Sequence, residues 1–149
     1  MNQPTIFIVE DDPVYSKVIN LTLSKNGYSN VHSFSSGEEA IRSLSMNPHF
    51  IILDFSLGGL NGLDILKMIK KKKPSSDVIV LTSVTDEELA ERCIEYGAMH
   101  YLEKNDASMK LILDLLSNSS KKFKRKFRTV IMVSILIAIV AVLAIYALI

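Results

Sequence analysis

Phe50-Ile51-Ile52-Leu53-Asp54 places four apolar residues directly before a carboxylate, and Phe55-Ser56-Leu57-Gly58-Gly59 follows. A short, wholly apolar run bounded by turn residues reads as a strand buried on both faces. Its last residue emerges at the carboxyl edge of a sheet, so Asp54 belongs at that edge. The run Thr5-Ile6-Phe7-Ile8-Val9 ends the same way, in Glu10-Asp11-Asp12. This parallel marks Asp54 as the working residue and the earlier acids as its companions.

The rest of residues 1–120 alternates between strand and helix signals. Asp12 suits an N-cap and Pro13 the first helical position. Val14, Val18 and Leu21 then recur at helical spacing, and Gly27 stops the helix. Residues 30–34 form a weaker strand. Ser36-Gly37-Glu38-Glu39 opens a second helix, which ends before Pro48. After the central strand, Asn61 caps a helix through Ile65, Leu66 and Ile69. That helix finishes in Lys70-Lys71-Lys72-Lys73 before Pro74, a placement that suits its dipole. Val78-Ile79-Val80-Leu81 leads to Thr82-Ser83. Thr85 and Glu88 have capping-box spacing, and the helix holding Leu89 and Cys93 ends at Gly97. The only cysteine sits at packing distance in that pattern, and no disulfide framework exists. A fifth strand over about Met99 to Glu103 reaches Lys104. Asp106 is placed to cap a last helix with an inner face of Leu111, Ile112, Leu115 and Leu116, and Ser117-Asn118-Ser119-Ser120 reads as a polar hinge. His32, His49 and His100 share no metal spacing and read as structural or surface residues.

Alternating strands and helices predict an α/β fold: a five-stranded parallel sheet with helices on both faces and right-handed crossovers. Ligands of such sheets bind beyond the carboxyl ends of the strands. Glu10, Asp11, Asp54, Thr82 and Lys104 converge on that edge. Crowded carboxylates need a cation among them. An oxygen-only ligand set favours a hard ion, Mg²⁺, with waters completing its octahedron. A metal and an ammonium flanking one carboxylate suit a phosphoryl group carried on that carboxylate.

These residues resemble the receiver domain of bacterial two-component response regulators. The resemblance rests on Val9-Glu10-Asp11-Asp12, on Asp54 with Gly62 eight residues later, on Thr82-Ser83 and on Lys104. It covers about the first 116 residues, and the order and spacing of the pieces are specific together. It implies a flavodoxin-like sheet of strand order 2-1-3-4-5, with Asp54 as phosphoacceptor. By the same resemblance, Asp11 is the principal Mg²⁺ ligand, Glu10 assists through water, and Asp54 and the Ser56 backbone carbonyl complete the protein ligands. Thr82 and Lys104 contact the phosphoryl group, and Tyr101 takes the position of the aromatic switch. The implied donor is a histidine kinase or phosphotransfer protein. The response then passes to a downstream protein by phosphorylation-dependent binding rather than by enzymatic turnover.

Two residues depart from the family pattern. Gly58 stands where a proline is usual four residues after the acceptor. Asn105 replaces the proline that commonly follows the lysine, so a trans bond is expected there. Both lie beside the site and bear on switching and partner surface. They motivate an alternative reading, a receiver-like scaffold or membrane-complex subunit in which phosphorylation is dispensable. An aspartate-nucleophile phosphatase is disfavoured, because Ser56 stands where such enzymes carry a second Asp.

Charge is unevenly distributed. Residues 121–128 hold six of the 17 Lys and Arg, and all 16 Asp and Glu lie before them, so residues 1–120 carry 11 − 16 = −5. Residues 129–149 carry no charge. At about 1.5 Å per residue this segment is about 30 Å long as a helix, the thickness of a bilayer core. The expected organisation is a receiver over 1–118, a basic juxtamembrane linker over 119–128 and a transmembrane helix over 129–149. The six cations hold the linker at the cytoplasmic face, attracted to anionic lipid. A single-pass protein of the cytoplasmic (inner) membrane follows, with its receiver in the cytoplasm and no signal peptide, output domain or nucleic-acid partner. Ser134, Ala138 and Ala141 share a face that admits helix–helix association and so a homodimer.

Overall fold

The computed structural model describes residues 3–83 and 86–119, with Met132 and Ile137 beyond them. The element order is β1 (Ile6–Val9), α1 (Pro13–Lys25), β2 (Val31–Phe34), α2 (Gly37–Arg42), a 3₁₀ turn (Leu44–Met46), β3 (Phe50–Asp54), α3 (Gly62–Lys72), β4 (Asp77–Thr82), α4 (Glu87–Glu95) and β5 (His100–Glu103). Residues 106–119 are helical and form α5. The five strands make one parallel sheet in the order β2-β1-β3-β4-β5, as the resemblance implied. The chain divides into two units, Met1–Asp114 and Leu115–Ile149.

Every residue of β1 and β3 is buried, which explains their unbroken apolar runs. Alternation along the strands splits the core into two layers. Phe7, Val9, Ile51, Leu53, Val78 and Val80 join Ala40, Ile41, Ile65, Leu66, Ile69 and Cys93 from α2, α3 and α4 in one cluster. Ile6, Ile8, Ile52 and Ile79 point the other way and are buried with Ile19 and Leu23 of α1. Helices thus cover both faces.

Several local expectations are corrected. The Val14, Val18 and Leu21 stripe of α1 faces outward, at 70%, 48% and 49% exposure, while Ile19 and Leu23 pack inward. The helix carries two apolar stripes, and packing against the sheet takes the one with Ile19 and Leu23. Leu111 is likewise exposed, whereas Ile112 and Leu116 are buried. Asp86 caps α4, accepting from the Leu89 N–H at 3.0 Å; its carboxylate serves as well as a threonine hydroxyl and suits the dipole. Thr85 lies outside the described residues. Asn105, not Asp106, caps α5: its Oδ1 accepts the Ser108 N–H at 2.9 Å. Ser117, Asn118 and Ser119 continue α5 rather than forming a hinge. The basic linker from Ser120 onward, and the span over 129–149 except Met132 and Ile137, lie outside the described residues. Among the described residues no helix is long and apolar enough to cross a membrane.

Lysines at the end of α3 act as struts. Lys70 Nζ donates to the Ser76 carbonyl at 2.7 Å, and Lys73 Nζ to Asn47 Oδ1. Burial lowers the pKa of Lys70. At the other end of α3, Gly62 presses on the segment just after Asp54. A Cβ there would lie 2.7 Å from Phe55 Cα and 2.8 Å from its carbonyl oxygen, and the Gly62 N–H already donates to that oxygen at 3.1 Å. Backbone cannot yield as a side chain can. Gly62→Ala is therefore expected to destabilise the domain by about 1–3 kcal/mol in urea unfolding; an unchanged midpoint would show that α3 can withdraw from Phe55 without cost.

Candidate functional site

Strand register builds the site. β1 and β3 pair Ile6 with Phe50 through Val9 with Leu53, so Glu10 leaves the sheet level with Asp54. Asp54 in turn lies opposite Leu81, one residue before Thr82. Thr82 pairs with Glu103, and the Lys104 N–H donates to the Thr82 carbonyl at 2.7 Å. Four strand ends thereby deliver polar side chains to one edge, as the sequence predicted.

Carboxylate oxygens of Glu10, Asp11 and Asp54 lie within 4.8 Å of one another. Glu10 and Asp54 are each 3% exposed, whereas Asp11 is exposed. Lys104 holds the buried pair together. Its Nζ lies 2.9 Å from Asp54 Oδ2 and 2.8 Å from Glu10 Oε2, and it donates to Glu10 Oε1 at 3.0 Å. Burial opposes the charge on Lys104, but the hydrogen bonds it donates to Glu10 and Asp54 outweigh it and hold the ammonium above its ordinary pKa. Burial acts oppositely on the acid: the Glu10 carboxyl is pushed up from 4.5 to about 7, with Asp54 adding to the rise and Lys104 opposing it. Asp54 Oδ1 also accepts the Ser56 N–H at 3.0 Å.

The remaining expected residues are at hand. Thr82 is buried at the end of β4. Ser56 follows Asp54 in the β3–α3 loop. Tyr101 is half-buried on β5, with its ring edge-on to Phe55 at 6.1 Å between centroids. Asp12 caps α1 through the Val14 N–H at 2.8 Å, so it stands outside the cluster. Among the described residues no peptide bond is cis, in keeping with Asn105 after Lys104. The sequence reading missed Tyr15, whose ring centroid lies 4.7 Å from Lys104 Nζ. Its position in the first turn after the acidic strand end was the available signal. A cation over an aromatic face is attracted to it, so Tyr15 closes the third side of the ammonium.

Three acids facing a single ammonium leave excess negative charge. Glu10 Oε2 is buried without a hydrogen-bond partner among the described residues; Lys104 reaches it as an ion pair only. Three carboxylates gathered against one ammonium fit a divalent cation with oxygen ligands. Glu10, Asp11 and Asp54 would hold it. The raised pKa of Glu10 gives this fit a pH dependence. A carboxyl with a folded value of about 7 against 4.5 contributes stability that is full below about 4.5 and lost as pH rises through about 7. Mg²⁺ should recover what deprotonation loses. We therefore expect the rise in melting temperature caused by Mg²⁺ to be larger near pH 8 than near pH 6; an equal rise at both would dissociate Glu10 from the metal.

Comparison with known proteins identifies the arrangement. Residues 6–115 match the response regulator receiver domain model. A cyclic di-GMP phosphodiesterase from Thermotoga maritima is 35% identical over 100 residues, 67% of this chain and 27% of that protein. The transcriptional regulatory protein CssR of Bacillus subtilis is 30% identical over 109 residues, 73% of this chain and 48% of that protein. The chain thus matches between about a quarter and a half of the length of these relatives. Among solved structures, the signal receiver domain of a Vibrio parahaemolyticus protein described as a Luxo repressor superposes with a TM-score of 0.73 at 26% identity, covering 83% of this chain and 96% of that one. The strand order, the acidic edge and the match over residues 6–115 agree, and the chain belongs to the response regulator receiver domain family.

Proposed function

We propose that this protein is a membrane-anchored response regulator whose receiver is phosphorylated on Asp54. The observation that carries the reading is the convergence of Glu10, Asp11 and Asp54, with Lys104 Nζ 2.9 Å from the proposed acceptor. An Asp54 oxygen attacks the phosphorus of a phosphohistidine on a histidine kinase or phosphotransfer protein. The P–N bond breaks, the acyl phosphate forms, and the imidazole leaves with its proton restored from solvent. When bound, Mg²⁺ neutralises phosphoryl oxygens and so lowers the cost of bringing two anions together. Glu10, Asp11 and Asp54 would hold that ion, with the Ser56 carbonyl as a further ligand. Lys104 already carries its proton, and a phosphoryl group on Asp54 offers it a new anionic partner. The Thr82 hydroxyl donates to the same group. Loss of Lys104 from Asp54 and the new charge beside Phe55 provide the change that Tyr101, packed on Phe55, relays to a downstream protein.

Anchoring rests on the sequence beyond the receiver. Residues 129–149 carry no charge and follow six cations in residues 121–128. A bilayer accepts such a segment and holds such a collar on its cytoplasmic side. Phosphorylation would then be read by a partner at the membrane surface, with the chain acting by binding and not by turnover. Small residues at Ser134, Ala138 and Ala141 offer a self-association face within the bilayer.

Each half of the proposal has its own test. Incubation with Mg²⁺ and acetyl phosphate should add one phosphoryl group, read by intact mass, and Asp54→Asn should abolish it. Equal labelling of the two proteins would move the acceptor elsewhere. Full-length protein should stay with membranes through carbonate and high-salt washes, and truncation after Ser120 should release it; a freely soluble full-length chain would remove the anchor.

A further inference from the structure

Asp11 differs from the other two acids. Glu10 and Asp54 are buried and fixed by Lys104, whereas Asp11 is exposed at the mouth of the cluster. What holds it is backbone: the Gly58 N–H donates to Asp11 Oδ2 at 3.0 Å, across 47 residues of chain. The loop lies close there, since a Cβ on residue 58 would sit 3.3 Å from the same oxygen. Two residues earlier the Ser56 N–H donates to Asp54 Oδ1 at 3.0 Å. Alternate amides of the β3–α3 loop therefore each grip one acid of the cluster.

We propose that the Gly58 amide is a positioning group for the metal site, orienting the Asp11 carboxylate toward Glu10 and Asp54 before the ion arrives. The inference rests on the reading of these three acids as a Mg²⁺ site. An exposed aspartate samples several rotamers, and a ligand that must be frozen at the moment of binding binds more weakly. A donor N–H to an ionised carboxylate is among the stronger hydrogen bonds. It leaves the second oxygen and the remaining lone pairs to the metal. Groups that orient ligating carboxylates contribute to affinity in this way without touching the ion. Residue 58 then meets two demands. For this tether it carries an N–H, which the proline usual at this position in the family lacks, and it keeps side-chain bulk off Asp11 Oδ2. Glycine satisfies both, and its φ is not in the left-handed region, which is confined to Gly27 and Gly97 among the described glycines.

The test is a Mn²⁺ titration of the full-length chain followed by electron paramagnetic resonance, with Mg²⁺ as competitor. Gly58→Pro removes the donor and should weaken Mn²⁺ binding about 10-fold or more. Gly58→Ala keeps the donor but sets a Cβ 3.3 Å from Asp11 Oδ2, so it should weaken binding by clearly less than Gly58→Pro. Wild-type affinity in Gly58→Pro overturns the proposal, as does a loss in Gly58→Ala equal to that in Gly58→Pro. If the wild type binds no Mn²⁺, or Asp11→Asn binds it equally well, the metal-site reading itself fails, a result distinct from the first two. A measurement independent of the folding of Gly58→Pro is amide hydrogen exchange: the Gly58 N–H should exchange faster in Asp11→Ala than in wild type, and equal rates overturn the tether.

Discussion

The structure depends on one electrostatic compromise: the carboxylates that the parallel sheet forces together at its carboxyl edge. β1 and β3 are buried along their length and pair in register, so their terminal acids cannot avoid each other. Water does not relieve the repulsion, because Glu10 and Asp54 are shielded from it. Lys104 relieves part of it and is itself pressed between the acids and the ring of Tyr15. Burial, with the Asp54 charge adding to it, leaves the Glu10 carboxyl with a raised pKa. A group that is costly to keep charged in isolation becomes useful once a cation or a transferred anion completes the set.

The β3–α3 loop mediates between this edge and the rest of the domain. Its backbone serves Asp54 through Ser56, Asp11 through Gly58 and α3 through Phe55 and Gly62. The loop is Gly-rich where the family usually carries proline, and close backbone approach rather than stiffness fixes its place. Gly62 shows the same constraint in stronger form, since any Cβ there collides with the Phe55 backbone. Glycine in this segment thus answers two close approaches after the acceptor, that of Asp11 at Gly58 and that of the Phe55 backbone at Gly62.

Strands and site edge were legible because their signals are short-range: apolar runs ending in charged residues are visible in the chain without tertiary knowledge. The strand order came through the family resemblance and not from periodicity. Helix facing was harder. Val14, Val18 and Leu21 keep a helical period as well as Ile19 and Leu23 do, and only the fold decides which stripe packs inward. Caps were ambiguous where two cap-forming residues are adjacent, as with Thr85 and Asp86, or Asn105 and Asp106. The serine-rich stretch after Leu116 misled because Ser and Asn have modest helix propensity, and an established helix can carry them. Tyr15 and the Gly58 amide were out of reach for a different reason. One acts through a ring face and the other through a main-chain group, and neither has a sequence motif.

Cys93 has a practical consequence. It is fully buried in the cluster beneath β4 and α3, and burial pushes its thiol above the ordinary range. Thiolate is the reactive form, so the folded domain presents almost none to oxidants or alkylating reagents, and the chain contains no second cysteine. A cysteine introduced at a chosen surface position would be its one readily labelled thiol, with Cys93 left in place as a reporter that reacts only when the core opens.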